Sequence, residues 1–169
     1  MSEKIEFGNL TISIDESESE VTYTFVGEVD EHFRQKEVPR IKKPTINFVL
    51  EEINNFNSCG IREWIYLIRD ISELGNLIFK KASVTMIDQI NMVPDSLGSG
   101  IVESFFAPYY SANSGEVNKL ISVEEHIDTL LSKQAPTFID DSNGEELEFD
   151  ALEEVIFCSL KACFHRPKL

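Results

Sequence analysis

A chain of 169 residues, 42% hydrophobic and 27% charged, carries enough apolar material for one substantial domain, and such a composition excludes wholesale disorder. Thirty acidic side chains against fifteen basic ones leave a formal charge of −15, which repels phosphate backbones and anionic headgroups and argues against nucleic acid and membrane as partners. No stretch approaches the ~20 apolar residues of a membrane helix. The polar start Met1-Ser2-Glu3-Lys4 has no signal-peptide h-region, and Cys59, Cys158 and Cys163 fall at no metal-ligand spacing. The expectation is a cytoplasmic protein with reduced thiols and neither metal nor cofactor.

Residues 10–14 alternate apolar and polar through Leu10, Ile12 and Ile14, and residues 21–29 do the same through Val21, Tyr23 and Phe25. Both segments read as half-buried strands joined across the acidic run 15–20. Residues 34–43 are a basic island punctuated by Pro39 and followed by Pro44, a pattern that reads as a solvated connector. Residues 45–50 (Ile46, Phe48, Val49, Leu50) are nearly continuously apolar, as in a central strand covered on both faces. The turn text Asn57-Ser58-Cys59-Gly60 follows, and Ile61, Trp64, Ile65, Ile68 and Ile71 then recur at helical spacing. Further on, residues 77–79 predict a strand, 84–92 a helix with Met86, Ile87 and Ile90 inward, and 102–106 another strand. A mixed sheet with crossover helices is implied.

Composition shifts beyond Pro108, for residues 116–154 hold twelve acids and two lysines. This places a boundary near Ser111, dividing a domain over 1–110 from an acidic, partly helical extension over 111–169, whose last helix would span 150–164.

A serine between a buried strand and a helix start lies beside unsatisfied backbone amides and the positive end of the helix dipole, which suits a capping hydroxyl first and also tolerates a phosphate. Two segments give that corner a wider context. Phe25-Val26-Gly27-Glu28-Val29-Asp30 resembles the early strand of the STAS domain, the fold of bacterial anti-sigma factor antagonists, and residues 46–61 resemble its central strand running into an Asp-Ser-Ser/Thr-Gly-Leu turn. The likeness covers residues 5–110. It implies a STAS-like mixed sheet of four or five strands with helices mainly on one face, and a non-enzymatic module that binds an anti-sigma factor, a serine kinase of the histidine-kinase-like ATPase class. On this alignment Ser58 is the phosphoacceptor, and Asn57, Cys59, Gly60, Ile61 and Trp64 form the docking turn and helix. Asn57 stands where an aspartate is usual, which favours a phosphorylation-independent scaffold as the alternative, and Cys59 stands where a second hydroxyl is usual. A small-molecule or nucleotide sensor is the remaining reading.

In the extension, the two-residue gaps within Tyr109-Tyr110-Ser111-Ala112-Asn113-Ser114 and Ala135-Pro136-Thr137-Phe138 are those of paired zinc knuckles with every cysteine replaced. They suggest a metal-free relic of a zinc ribbon, held by Phe138, Phe149 and the last helix. Asp140-Asp141-Ser142-Asn143-Gly144-Glu145 lacks the spacing and closing glutamate of a calcium loop and reads as an acidic turn. His32, His126 and His165 lie in unrelated contexts with no nucleophile pattern beside them, so no catalytic residue is expected.

Overall fold

The computed structural model describes residues 2–151 and Glu153. Six strands form one sheet in the order of the chain: β1 (Ser2–Phe7), β2 (Leu10–Glu16), β3 (Glu20–Val29), β4 (Thr45–Phe56), β5 (Asn76–Lys80) and β6 (Ile101–Val102). The first three run antiparallel and the last four, from β3 on, run parallel, so the sheet is mixed. Six strands replace the expected four or five. The added edge strand β1 has only Ile5 and Phe7 as apolar residues, too few to show a period, while Lys4 and Glu6 pair with each other in solvent at 2.7 Å.

One face of the sheet carries the core. Ile12 in β2, Phe25 in β3, Phe48 in β4 and Phe79 in β5 are fully buried there, beneath the helices α1 (Ser58–Ser72) and α2 (Val84–Met92). Trp64 of α1 makes inclined ring contacts with Phe25, Phe48, Phe56 and Phe79, its centroid 5.1–6.3 Å from each, and donates its indole N–H to the Ser96 carbonyl at 2.9 Å. Ser96 also accepts from the Gln89 amide of α2 at 3.0 Å, so the two helices meet on the same side. The opposite face presents Thr22, Thr24, Val26 and Val49, and among the described residues no helix lies over it, so the run at 45–50 has described helices on one face only. Its nearly continuous apolar look arises because Val49, half-buried on that second face, joins Ile46, Phe48 and Leu50 of the core face, while Asn47 beside it is held by Glu20 and Thr22.

The connector between β3 and β4 departs from the solvated loop the sequence suggests. Phe33 and Val38 are buried, and the Tyr23 hydroxyl donates to the Pro39 carbonyl at 2.8 Å. Arg40 donates to the Gln35 and Val38 carbonyls at 2.6 Å and ion-pairs with Asp70 of α1 at 3.0 Å. The charge of Arg40 is thus spent on fixing the loop against the helix, while Lys43 pairs with Glu16 of β2 at 2.9 Å.

A second sheet follows. The strand expected over 102–106 divides at Glu103: β6 closes the first sheet, and β7 (Ser104–Ser111) opens an antiparallel sheet in the order β8 (Gly115–Ser122), β7, β9 (Glu148–Phe149). The boundary drawn near Ser111 therefore falls in the turn of the β7–β8 hairpin, where Ser111 pairs with Gly115. Described residues of the expected helical extension are mainly strand and turn, with one short helix, α3 (Ile127–Leu131). The helix expected over 150–164 lies almost wholly outside the described residues. Most described acidic side chains here are exposed, Asp140 being the buried exception, while Tyr109 packs edge-on against Phe138 and Phe149 at 5.2 and 5.3 Å and joins the same core as the first sheet.

The turn facing Ser111–Ser114 is formed by residues 140–144, while the Ala135–Phe138 segment of the knuckle-like pair meets the other segment at Tyr109, whose hydroxyl donates to the Pro136 carbonyl at 2.6 Å. Asp140 is nearly buried and accepts from the hydroxyls of Ser111, Ser114 (3.2 Å) and Ser142 (2.6 Å) and from the Ser142 amide (2.9 Å). These donors, Ser111 first and Ser142 next, hold its carboxyl well below the usual carboxylate range. A carboxylate fully supplied with donors clamps two turns together by hydrogen bonds alone. Because the folded pKa is depressed, this stabilisation is present above the unfolded value of about 3.9 and is lost as pH falls through the folded one. Asp140→Asn is expected to lower the melting temperature at neutral pH, and its deficit relative to the parent should shrink as the pH drops below about 4; melting curves across that range check it.

Candidate functional site

β4 is twelve residues long and delivers the chain directly to the start of α1. Asn57 caps that helix from an extended conformation (φ −108°, ψ 172°), its side-chain oxygen accepting from the Gly60 amide at 2.9 Å. The cap is thus Asn57, which leaves Ser58 as the first helical residue. Ser58 is exposed, and its hydroxyl makes no hydrogen bond among the described residues. The first turn of the 15-residue helix holds no acidic side chain. A negative group added at Ser58 would meet free backbone amides and the positive end of the helix dipole.

The far wall of the corner is the end of β3. Asn57 donates its backbone N–H to the Val29 carbonyl at 3.2 Å. A Cβ on Gly60 would lie 1.8 Å from that same carbonyl oxygen and 2.8 Å from the Asp30 nitrogen, so no side chain fits at position 60. Gly27 serves the same edge from the other side: its φ is +114°, and a Cβ there would lie 1.9 Å from the Asn9 carbonyl. Both glycines belong to the two segments that carry the STAS likeness, and each is required by a backbone approach.

Beyond β3, Asp30 is buried and accepts from the His32 backbone N–H at 2.8 Å and faces its Nδ1 at 3.1 Å. Glu31 accepts a hydrogen bond from the Asn57 side-chain amide. Its carboxyl lies below the usual carboxylate range, because its own backbone amide and then Asn57 donate to it. Asp30, Glu31 and His32 are the described residues whose possible ligand atoms converge, all within 4.8 Å, and one Asp30 oxygen is already engaged by His32. A cavity of about 290 Å³ beside them is lined by Glu31, Arg34, Cys59, Arg62 and Glu63.

The residues expected to meet a partner therefore separate. Ser58 and Cys59 are exposed, and Asn57 and Ile61 are half-buried beside them. Gly60 is buried against β3, and Trp64 has no exposed surface at all. The helical periodicity that marked Trp64 is the periodicity of the core face, so this residue supports the corner from beneath. Glu31, Arg34 and Arg62 complete the exposed rim and were not singled out from the sequence; Glu31 directly follows the Gly-Glu-Val-Asp text, which is the one signal that pointed to it.

Gly60→Ala is expected to destabilise the fold by about 1–3 kcal/mol in urea unfolding, since the added methyl must push α1 off β3, whereas Cys59→Ala beside it should change stability by less than about 0.5 kcal/mol. No protein-family model matches this chain, and no curated protein is similar to it.

Proposed function

We propose that the chain is a cytoplasmic signalling module that binds a regulatory partner protein at the Ser58 corner, in the manner of an anti-sigma factor antagonist of the STAS type. The partner class is then a serine kinase of the histidine-kinase-like ATPase group, and phosphate on Ser58 regulates the contact. The observation that carries this reading is an exposed, unengaged hydroxyl on the first residue of a helix free of acidic side chains in its first turn, at the end of the central strand. Supporting it are the mixed sheet with its helices on one face and the two glycines that fix the corner. Among the described residues no helix is long and apolar enough to cross a membrane.

A phosphorylation-independent scaffold is the second reading, and one contact favours it. The Glu31 carboxylate bound to Asn57 already holds negative charge at the rim, so a kinase would have to bring its phosphate next to that charge.

The two readings differ in what Ser58 variants do. The protein and its Ser58→Ala and Ser58→Asp forms are used as bait in native cytoplasm, with mass spectrometry of Ser58 on the recovered parent. The switch reading expects a kinase-like ATPase on the parent and on Ser58→Ala, at least tenfold less on Ser58→Asp, which corresponds to about 1.4 kcal/mol, and phosphate on Ser58. Equal recovery on all three forms with no phosphate selects the scaffold, and recovery of metabolic enzymes alone rejects both.

A further inference from the structure

The charged residues of α1 are sorted into two stripes. Glu63 and Asp70, seven residues apart, turn toward the connector: Glu63 accepts from the Gln35 amide at 3.3 Å and Asp70 pairs with Arg40 at 3.0 Å. Arg62 and Arg69, also seven apart, are exposed and make no ion pair among the described residues. Tyr66 lies between them, 38% exposed, with the Arg69 guanidinium 4.9 Å from its ring centre. The helix thus engages its acids internally and leaves outward an Arg–Tyr–Arg stripe on a protein whose formal charge is −15.

We propose that the stripe Arg62, Tyr66 and Arg69 is the surface that docks the partner, and that the partner presents an acidic protein face with an apolar recess for the Tyr66 ring. This rests on the Ser58 reading for its location, since the stripe starts one helical turn beyond Ser58. Arginine and tyrosine are the residue types most often found to dominate interface energetics. Unpaired cations in an acidic molecule also orient the encounter, because an acidic partner is repelled from most of the surface and attracted to this stripe. A phosphate on Ser58 then acts on the stripe directly. Residues four apart on a helix are neighbours, so the phosphate captures Arg62, with Arg34 across the shared cavity as a second donor, and removes half the positive charge that the partner meets.

The full ¹⁵N-labelled chain is titrated with a synthetic peptide of alternating glutamate and leucine pairs, followed by amide shifts. The expected result is perturbation centred on α1 around Arg62, Tyr66 and Arg69, weakened about tenfold by Arg62→Glu or Arg69→Glu. It should weaken further when salt is raised from about 0.1 M to about 1 M. Arg62→Gln, which removes charge without reversing it, should weaken binding less than Arg62→Glu, and the unliganded spectra of all variants report whether the fold is retained. No perturbation of α1, or perturbation centred on the lysines of the connector, overturns the proposal. Oligothymidylate moving the same amides as strongly as the peptide also overturns it, by making the stripe a general anion site. In a second arm, protein carrying phosphoserine at 58 is expected to bind the peptide about tenfold more weakly, with Arg62→Gln erasing most of that difference. Peptide binding on α1 that ignores the phosphoserine upholds the docking stripe and refutes the switch at Ser58; loss of α1 binding in unmodified protein refutes the stripe whatever phosphoserine does.

Discussion

The approach of the first turn of α1 to the Val29 carbonyl fixes everything the corner can do. With no Cβ at position 60, the helix start presses onto the end of β3 closely enough that the Asn57 amide reaches the Val29 oxygen. This contact points the first helical residue outward, since Gly60 takes the inward position two residues later. It also brings residues 30–32 against the helix cap, so one surface collects side chains from two parts of the chain about thirty residues apart. Beneath it, Trp64 ties α1 to four phenylalanines of the sheet and to Ser96, which makes the helix a rigid mount. An exposed hydroxyl on a rigid mount has a fixed geometry, which is what the proposed docking role requires.

Much of this arrangement was legible in the residues because the signals were periodic or steric. The alternation Leu10, Ile12, Ile14 and Val21, Tyr23, Phe25 marks β2 and β3, and the spacing of Trp64, Ile68 and Ile71 marks the buried stripe of α1. Gly27 and Gly60 are visible as glycines, but the close approaches that demand them are tertiary. The same limit explains Trp64: periodicity identifies a face without saying whether it meets the core or a partner. Charge was the least legible property. Arg40 and Arg62 look alike in the sequence, yet Arg40 is consumed by two carbonyls and Asp70 while Arg62 is exposed with no ion pair among the described residues.

The second sheet shows a complementary limit. Its acidic composition suggests a separate helical tail, whereas its buried positions, Phe105, Ala107, Tyr109 and Ile121, alternate as strands and join the core of the first sheet. Net composition reports the surface, and here the surface is acidic over an ordinary β core. The clamp around Asp140 illustrates how hydrogen bonds to one carboxylate close such a sheet. Three hydroxyls and an amide converge on one carboxylate, and the residues that do so are short polar side chains whose pairing leaves no periodic trace.

Asn57 is one of the two residues where the proposed STAS likeness departs from its pattern, and its contacts give that departure a physical reason. The side-chain oxygen does what an aspartate would do, accepting from the Gly60 amide. The side-chain nitrogen does what an aspartate cannot, donating to Glu31. With a carboxylate at position 57, two negative groups would face each other across a hydrogen-bond distance, and one would have to turn away or take up a proton. Asn57 and Glu31 are therefore one unit: the charge absent from the cap is held on the neighbouring loop, a single hydrogen bond away. That exchange preserves the acidity of the corner and ties the cap to the 30–32 loop by a hydrogen bond. A partner that recognises the corner meets both segments at once, and a substitution at either position acts on the pair.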